Sequence, residues 1–402
     1  MMTLLFVLLS IQGSFAQDWN EYVQEALQNN PAVQAKRFAY EAALEDSHQV
    51  GIPWDPSVGV GIFVLPIETK MGAQRAKFSI QQTFPWWGTF AKQKQLSLIK
   101  AEQKKKEWEE SAIELRLQME DLWYPMIALQ HQLRVYEKSL AILESYGHLS
   151  QKRLENGQGS LVDSVRVQMR VEALKTDIQI VSKRFAMMTA KFNILCHAPE
   201  GRTVELPDIS TIEFESLVLS EQIQHPRVEN FALEMQSWGL EKEIVAKQRM
   251  PNIGVGLEYI VVSPLPDNTE SGGDAVVPTL RLQIPIFQKK YASQLAEISL
   301  QEKRTELSQQ AWENNVQSQL AEIAFVVERC IEMRSLYRLQ QGLVQQSIEI
   351  VLASYSVSGD RFEELLDWQQ ELLKYQLLEI ELVRDYRMAM GKKQALTGDG
   401  NE

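Results

Sequence analysis

The sequence predicts a mainly α-helical fold with a small β part, in which one helix–β-hairpin–long-helix unit occurs twice. Three observations lead to this prediction: an internal repeat, two pairs of short segments with alternating apolar and polar residues, and long segments with a heptad apolar period. The chain has 402 residues, of which 45% are hydrophobic, which is ample for a packed core.

The internal repeat relates residues 29–64 to residues 224–260. Four residues recur 195 positions later: Pro31 as Pro226, Pro56 as Pro251, Gly59 as Gly254, and Gly61 as Gly256. Pro85 recurs 200 positions later as Pro285, so the second hairpin loop is five residues longer. Matches of this kind indicate a duplicated unit.

The repeat divides the chain into five predicted parts. An apolar run from Leu4 to Ile11 is followed by small residues ending at Ala16, so residues 1–16 are predicted to be a signal peptide. The other parts are the first repeat (17–200), a connecting segment (201–222), the second repeat (223–396) and a flexible tail (397–402).

Each repeat contains two predicted strands of about ten residues. Alternation is clearest in the second strand of each pair, where Phe78 and Ile80 face opposite to Ser79. The predicted strands are Ser57–Leu65, Ala76–Phe84, Asn252–Val262 and Val276–Ile286, which make hairpins at 57–84 and 252–286.

A very long helix follows each hairpin. Between Leu122 and Leu143, apolar residues recur at alternating spacings of four and three, the pattern of a left-handed coiled coil. Breaks at 155–160 and 356–361 turn the chain back into a second helix. By periodicity alone, an ordinary coiled-coil bundle would be the better interpretation.

The strands favour an oligomeric membrane protein instead. A strand of about ten residues matches the tilted span of an outer-membrane barrel. Four strands cannot close a barrel, and open strand edges are not stable in hydrocarbon. Two chains would supply eight strands and three would supply twelve, and helices that continue the barrel as a tube favour the larger number.

Large aromatic residues mark the ends of the strands where the helices begin. Because a hairpin enters and leaves on the same side, they are predicted to ring one rim of the sheet at the level of the lipid headgroups. The alternative is that they plug the core between sheet and helices. These residues are Trp54, Trp86, Trp87 and Phe287.

Composition and motifs argue against other classes of function. A net charge of −12 leaves no basic surface for a nucleic acid. The two cysteines and five histidines show no metal-ligand spacing, and no nucleophile–base motif, phosphate loop or HExxH motif indicates an enzyme. We therefore expect no catalysis and no cofactor. A periplasmic structural coiled-coil protein is the alternative, although it would need no alternating hairpins.

The sequence resembles the outer-membrane efflux protein (TolC-like) family over nearly the whole mature chain. "QQTFPWWGTFAKQ" (81–93) resembles the family's strand-to-helix junction, and "RLENGQGSLVDSVRVQMRVEAL" (153–174) and "YSVSGDRFEELLDWQQELL" (355–373) resemble its two helical turns. The resemblance implies a homotrimer with a 12-stranded outer-membrane β-barrel, continued by a periplasmic α-helical coiled-coil barrel.

The resemblance also implies a function. Family members act as the passive exit duct of a tripartite efflux system, docked to a periplasmic adaptor (a membrane fusion protein) and supplied by an inner-membrane pump. A pump of the resistance-nodulation-division type is expected here. The segment "GQGSLVDSVRVQ" (157–168) is most similar to the family branch that is paired with heavy-metal-exporting pumps. Heavy-metal cations or drugs are therefore the expected cargo.

The resemblance assigns roles to both helical turns. An acid after the first turn and a base after the second, Asp163 and Arg361, are expected to latch the closed tip, with Tyr355 one residue away from the family's tyrosine position. The expected adaptor-docking residues are Gly157, Gln158, Leu161, Gly359 and Asp360.

Two acids after the second turn, Glu364 and Asp367, are expected to line the pore aperture. They keep the family's spacing of three residues, but each lies one residue earlier after the turn than in the family pattern. Residues three apart on a helix share nearly the same face, so three chains would bring six carboxylates together and attract cations. The alternative is that both are solvated acids on a helix surface.

Overall fold

The structure is a computed structural model that describes residues 19–208, 214–217, 223–265, 271–358 and 361–398. Seven helices and four strands account for most of these residues. In chain order the elements are α1 Trp19–Asn29, α2 Pro31–Gln49, β1 Ser57–Thr69, β2 Gly72–Phe84, α3 Thr89–Glu155, α4 Leu161–Leu195, α5 Pro226–Gln248, β3 Asn252–Ser263, β4 Ala275–Gln283, α6 Gln288–Ser358 and α7 Phe362–Thr397.

The element order confirms the predicted fold class, a mainly helical chain with a small β part in a duplicated plan. The sequence α2–β1–β2–α3–α4 is repeated as α5–β3–β4–α6–α7. The long helix predicted after the first hairpin is α3, and Met126, Leu129 and Leu143, which lie in the predicted heptad segment from Leu122 to Leu143, are buried. None of the described helices has an apolar stretch long enough to cross a bilayer.

Three predicted boundaries were wrong. The segment 66–75 was expected to be a polar loop, but β1 continues to Thr69 and β2 begins at Gly72, because this polar stretch still completes the ladder between the two strands. The last strand ends at Gln283 instead of Ile286, two residues before Pro285, which cannot donate a ladder hydrogen bond. The second turn begins later than residue 356, since α6 continues to Ser358.

The four strands form one antiparallel sheet in the order β1-β2-β3-β4. Its register pairs Val60 with Phe78 and Phe78 with Tyr259, and it pairs Ile80 with Leu257. Because side chains alternate along a strand, these residues share one face of the sheet. The same face carries Val58 and Ile62 of β1, Val255 of β3, and Val276, Leu280 and Leu282 of β4.

The two faces of this sheet differ sharply in polarity. The apolar face is exposed, including Val60, Ile80 and Leu257, although a contiguous apolar surface of this kind is unfavourable in water. The opposite face is polar and carries an ion pair of 2.6 Å between Lys77 and Glu258. An apolar outside and a polar inside are what a transmembrane barrel strand requires.

Contacts divide the chain into two units. One takes the ranges Ala35–Glu110 and Pro226–Asn314 and contains the sheet. The other takes Met1–Gln34, Ser111–His225 and Asn315–Glu402 and contains both helical turns. In this second unit, a hydrophobic core joins α3, α4, α6 and α7 near the turns; its most buried members are Val167, Val351, Tyr355, Phe362 and Leu365.

The difference in polarity between the two sheet faces predicts that introducing an arginine has different effects on each face. Leu257→Arg places a charge on the apolar face and should destabilise the inserted sheet by about 2–4 kcal/mol if Leu257 lies near the bilayer midplane. Gln81→Arg, on the polar face of the neighbouring strand, is the matched control and should have little effect. Denaturant unfolding of the detergent-purified protein measures both, and equal losses would contradict the assignment of the faces.

Candidate functional site

The first helical turn has a defined cap structure. Gly157 has a left-handed backbone with φ of 72°, and its N–H donates to the Leu154 carbonyl oxygen over 3.0 Å. The N–H of Gln158 donates to the Arg153 carbonyl oxygen over 2.9 Å, which completes a Schellman motif at the end of α3. Ser160 then caps α4 by accepting from the Val162 N–H. Glycine at 157 is therefore required by the backbone.

The second turn is closed differently. Gly359 and Asp360, two expected docking residues, lie outside the described residues. Arg361 precedes α7 with φ of 69°, a conformation that is uncommon for a residue with a side chain. Its guanidinium forms an ion pair of 2.5 Å with Glu364 in the first turn of α7. This ion pair holds the pKa of Glu364 below its usual value.

Arg153 joins the first turn to the second. Its Nη1 donates to the Tyr355 carbonyl oxygen over 2.9 Å and to the Ser356 carbonyl oxygen over 3.3 Å. The guanidinium also lies over the Tyr355 ring, 5.1 Å from its centroid. Sequence analysis missed Arg153, because nothing in the local pattern shows that the end of one helix meets the end of another 202 positions later.

Tyr355, one of the three expected latch residues, is a core residue in this chain. Only 1% of its surface is exposed, and its ring packs on Phe362 with 4.6 Å between the centroids. Burial raises the pKa of the Tyr355 hydroxyl, and the nearby carboxylate of Asp163 raises it further. Tyr355 therefore connects both helical hairpins at the tip.

The other two latch residues have separate surroundings within the chain. Burial raises the pKa of Asp163, with Arg166 opposing the shift and Glu363 adding to it. Arg361 instead forms its ion pair with Glu364. A latch between Asp163 and Arg361 stays a prediction. It would require Arg361 to break its ion pair with Glu364 or to share it with Asp163.

Two arginines of α4 face two acids of α7 in matching register. Arg166 Nη1 lies 2.7 Å from a Glu363 carboxylate oxygen, and Arg170 Nη2 lies 3.3 Å from Asp367. Both pairs are separated by four positions on each helix, so they form a two-step ladder. The equal spacing of arginines and acids was visible in the sequence, but the pairing of α4 with α7 was not. Each expected aperture acid, Glu364 and Asp367, thus has an arginine partner.

Exposed apolar stripes follow α4 and α6. On α4, Leu161, Val165 and Met169 are spaced by four and are half or more exposed. On α6, Leu343, Ile350 and Val357 are spaced by seven, and Val357 is 87% exposed. The described chain leaves the apolar side chains of both stripes uncovered.

The aromatic residues at the strand ends are mainly exposed. Trp87 and Phe287 are 71% and 79% exposed, and Trp54 is also exposed. Trp86 is half-buried and meets Trp87 edge to face, with 5.1 Å between the centroids. Exposure of this kind is required for residues at a membrane rim and does not fit plugs within the chain. Their place at the rim stays a prediction.

The Cys196 thiol is buried at the end of α4. Burial raises the pKa of the Cys196 thiol to about 11, which suppresses the reactive thiolate at neutral pH. Among the described residues, no group of three or more His, Cys, Asp and Glu side chains is placed to hold a metal ion.

The comparisons with known proteins agree with this geometry. Residues 22–181 match the sequence model of a family described as outer membrane efflux protein. The matched part of the chain is therefore similar to outer membrane efflux proteins. The matched segment includes the first hairpin, all of α3 and the first helical turn. The comparison with curated proteins gives no match.

Solved structures show the same fold along almost the entire chain. The outer membrane protein VceC of Vibrio cholerae has a TM-score of 0.78 at 14% identity, covering 95% of this chain and 96% of that chain. CusC, whose structures concern transmembrane channel formation, has a TM-score of 0.76 at 15% identity, covering 94% and 91%. The open-state outer membrane channel MtrE of Neisseria gonorrhoeae has a TM-score of 0.68 at 12% identity, covering 92% and 88%.

Proposed function

We propose that this chain is an outer membrane efflux protein, three copies of which form the passive exit duct of a tripartite efflux system. The observation that carries the proposal is the sheet of the described residues, which has one exposed apolar face, one polar face and four strands. Three copies supply twelve strands, which close a barrel with the apolar face toward lipid and the polar face toward water. A periplasmic structural coiled coil would leave this apolar face without a role.

The exposed helical stripes support association of identical copies. The stripe on α4, which includes Leu161 and Met169, and the stripe on α6, which includes Ile350 and Val357, are both uncovered in one chain. Packing the α4 stripe of one copy near the α6 stripe of the next would bury both in a ring. The spacing of seven on α6 suits the knobs-into-holes packing of a coiled-coil barrel.

The helical turns are proposed to dock a periplasmic adaptor of the membrane fusion protein class, which connects the duct to an inner-membrane pump of the resistance-nodulation-division type. Gly157, Gln158 and Leu161 are exposed at the first turn. The Schellman cap and the Arg153 bonds fix the shape of this surface, which suits docking of a rigid partner. In this proposal the pump selects the cargo, whether heavy-metal cations or drugs.

Site-specific crosslinking tests the docking surface. A photo-crosslinking residue at Gln158 should capture an adaptor in cells that express the full system. The matched control is the exposed Glu68, near the opposite end of the hairpin from the helices, where no adaptor should be captured. Capture from position 68 and not from position 158 would contradict the proposed orientation.

Glu364 and Asp367 are proposed to line the aperture, with their charge moderated by the arginines that face them. Both acids are exposed, as an aperture requires. Arg361 and Arg170 nevertheless compensate part of their charge within each chain. The local field at the aperture then depends on these ion pairs as well as on the number of carboxylates.

Conductance in planar bilayers tests the aperture with variants of opposite sign. Glu364→Gln with Asp367→Asn should lower cation selectivity and weaken block by trivalent cations by about tenfold or more, because a charge pair in contact in water contributes about 1 kcal/mol. Arg170→Gln, which frees Asp367, should strengthen the block. Unchanged selectivity and block in the double variant would make both acids ordinary surface residues.

A further inference from the structure

A small aromatic pocket lies where the two inner strands of the sheet end. Its volume is about 260 Å³, and it is lined by Phe84, Pro85, Trp86, Trp87, Gly88, Phe90 and Ile253. The lining is almost entirely apolar. A pocket of this composition fits a hydrocarbon chain better than a polar solute.

The position of the pocket in the sheet indicates that it opens toward lipid. Phe84 of β2 is paired with Ile253 of β3. Both residues continue the rows of Ile80 and Leu257, which lie on the exposed apolar face. The inner strands β2 and β3 are also away from the outer strands β1 and β4, through which neighbouring copies would join.

A cationic side chain lies beside the apolar walls. Lys247, the penultimate residue of α5, donates from Nζ to the Trp87 carbonyl oxygen over 3.1 Å. A Cβ atom on Gly88 would lie only 3.2 Å from the same Nζ, which places the ammonium directly against the pocket lining. An ammonium has three donors, so this one hydrogen bond leaves capacity for an anion.

We propose that this pocket binds one anionic glycerophospholipid from the membrane that surrounds the sheet. An acyl chain occupies the aromatic pocket, and the lipid phosphate accepts a hydrogen bond from Lys247. Tryptophan side chains prefer the headgroup level, and cationic side chains at that level attract anionic lipids. The proposal rests on the membrane placement of the sheet, and it adds a specific lipid site to it.

Charge complementarity decides between lipid classes. A zwitterionic headgroup also carries a phosphate, but its own cation competes with Lys247 for that phosphate. Arg249, exposed two residues further along the chain, adds a second cation at this end of the sheet. Its Nε donates to Gln288 over 3.1 Å, so it is held at the entry of β3. The site should therefore prefer phosphatidylglycerol to phosphatidylcholine.

Native mass spectrometry of the detergent-purified protein tests this site. The protein is titrated with phosphatidylglycerol and with phosphatidylcholine of identical acyl chains, and bound lipids are counted for each assembly. The wild type should bind phosphatidylglycerol preferentially. Lys247→Gln should weaken phosphatidylglycerol binding by about fivefold, as one cation near a lipid surface contributes about 1 kcal/mol.

Three further variants separate charge from apolar contact. Lys289→Gln, which changes an exposed lysine at the start of α6, is the matched control and should retain binding. Lys247→Arg should retain the preference for the anionic lipid. Trp87→Ala, which removes a pocket wall, should weaken binding of both lipids to a similar extent.

Two results would overturn the site. One is equal affinity of the wild type for both lipids, and the other is an equal loss in Lys247→Gln and Lys289→Gln. Bilayer conductance of the same preparations separates this outcome from failure of the proposed duct. Intact, conducting assemblies without a lipid preference would overturn the lipid site and leave the duct standing.

Discussion

The outer strands of the sheet set the main constraint on this protein. Within the described chain, β1 pairs only with β2, and β4 pairs only with β3, so each outer strand has one unpaired row of backbone N–H and C=O groups. In water such an edge is a risk of aggregation, and in hydrocarbon each unsatisfied group costs several kcal/mol. The exposed apolar face directs the sheet into hydrocarbon, and the unpaired edges then require further chains. In this account, a sheet that inserts into the membrane must therefore also associate with further copies.

The tip of the helical hairpins combines a firm core with weak surface bonds. Phe362 and Tyr355 are almost fully buried, and burial of one large apolar side chain contributes about 1.5–3 kcal/mol. Exposed ion pairs such as Arg170 with Asp367 contribute about 0.2–1 kcal/mol each. The aromatic core therefore holds the turns together, while the ladder between α4 and α7 can break at little cost. A tip that opens would break the ladder first.

Prediction from the sequence succeeded where a regular spacing of residues along the chain determines the structure. The repeat positioned both hairpins and both helical turns, and alternation identified the two faces of the sheet. It failed where distant segments meet, as with Arg153 and Tyr355 or with Arg170 and Asp367. It also failed in residues 66–75, where a polar composition suggested a loop but pairing with a long neighbouring strand decided the structure. The resemblance pointed to Glu364 and Asp367 as proposed aperture acids, whereas their arginine partners required the structure.

The most direct test of this account is the mass of the assembly in mild detergent, measured together with the β-sheet signal in circular dichroism. Because the sheet has unpaired edges, the account predicts a trimer as long as the sheet signal is intact, and loss of both together on denaturation. A monodisperse monomer with an intact sheet signal would contradict the claim that closure by neighbouring chains stabilises the sheet.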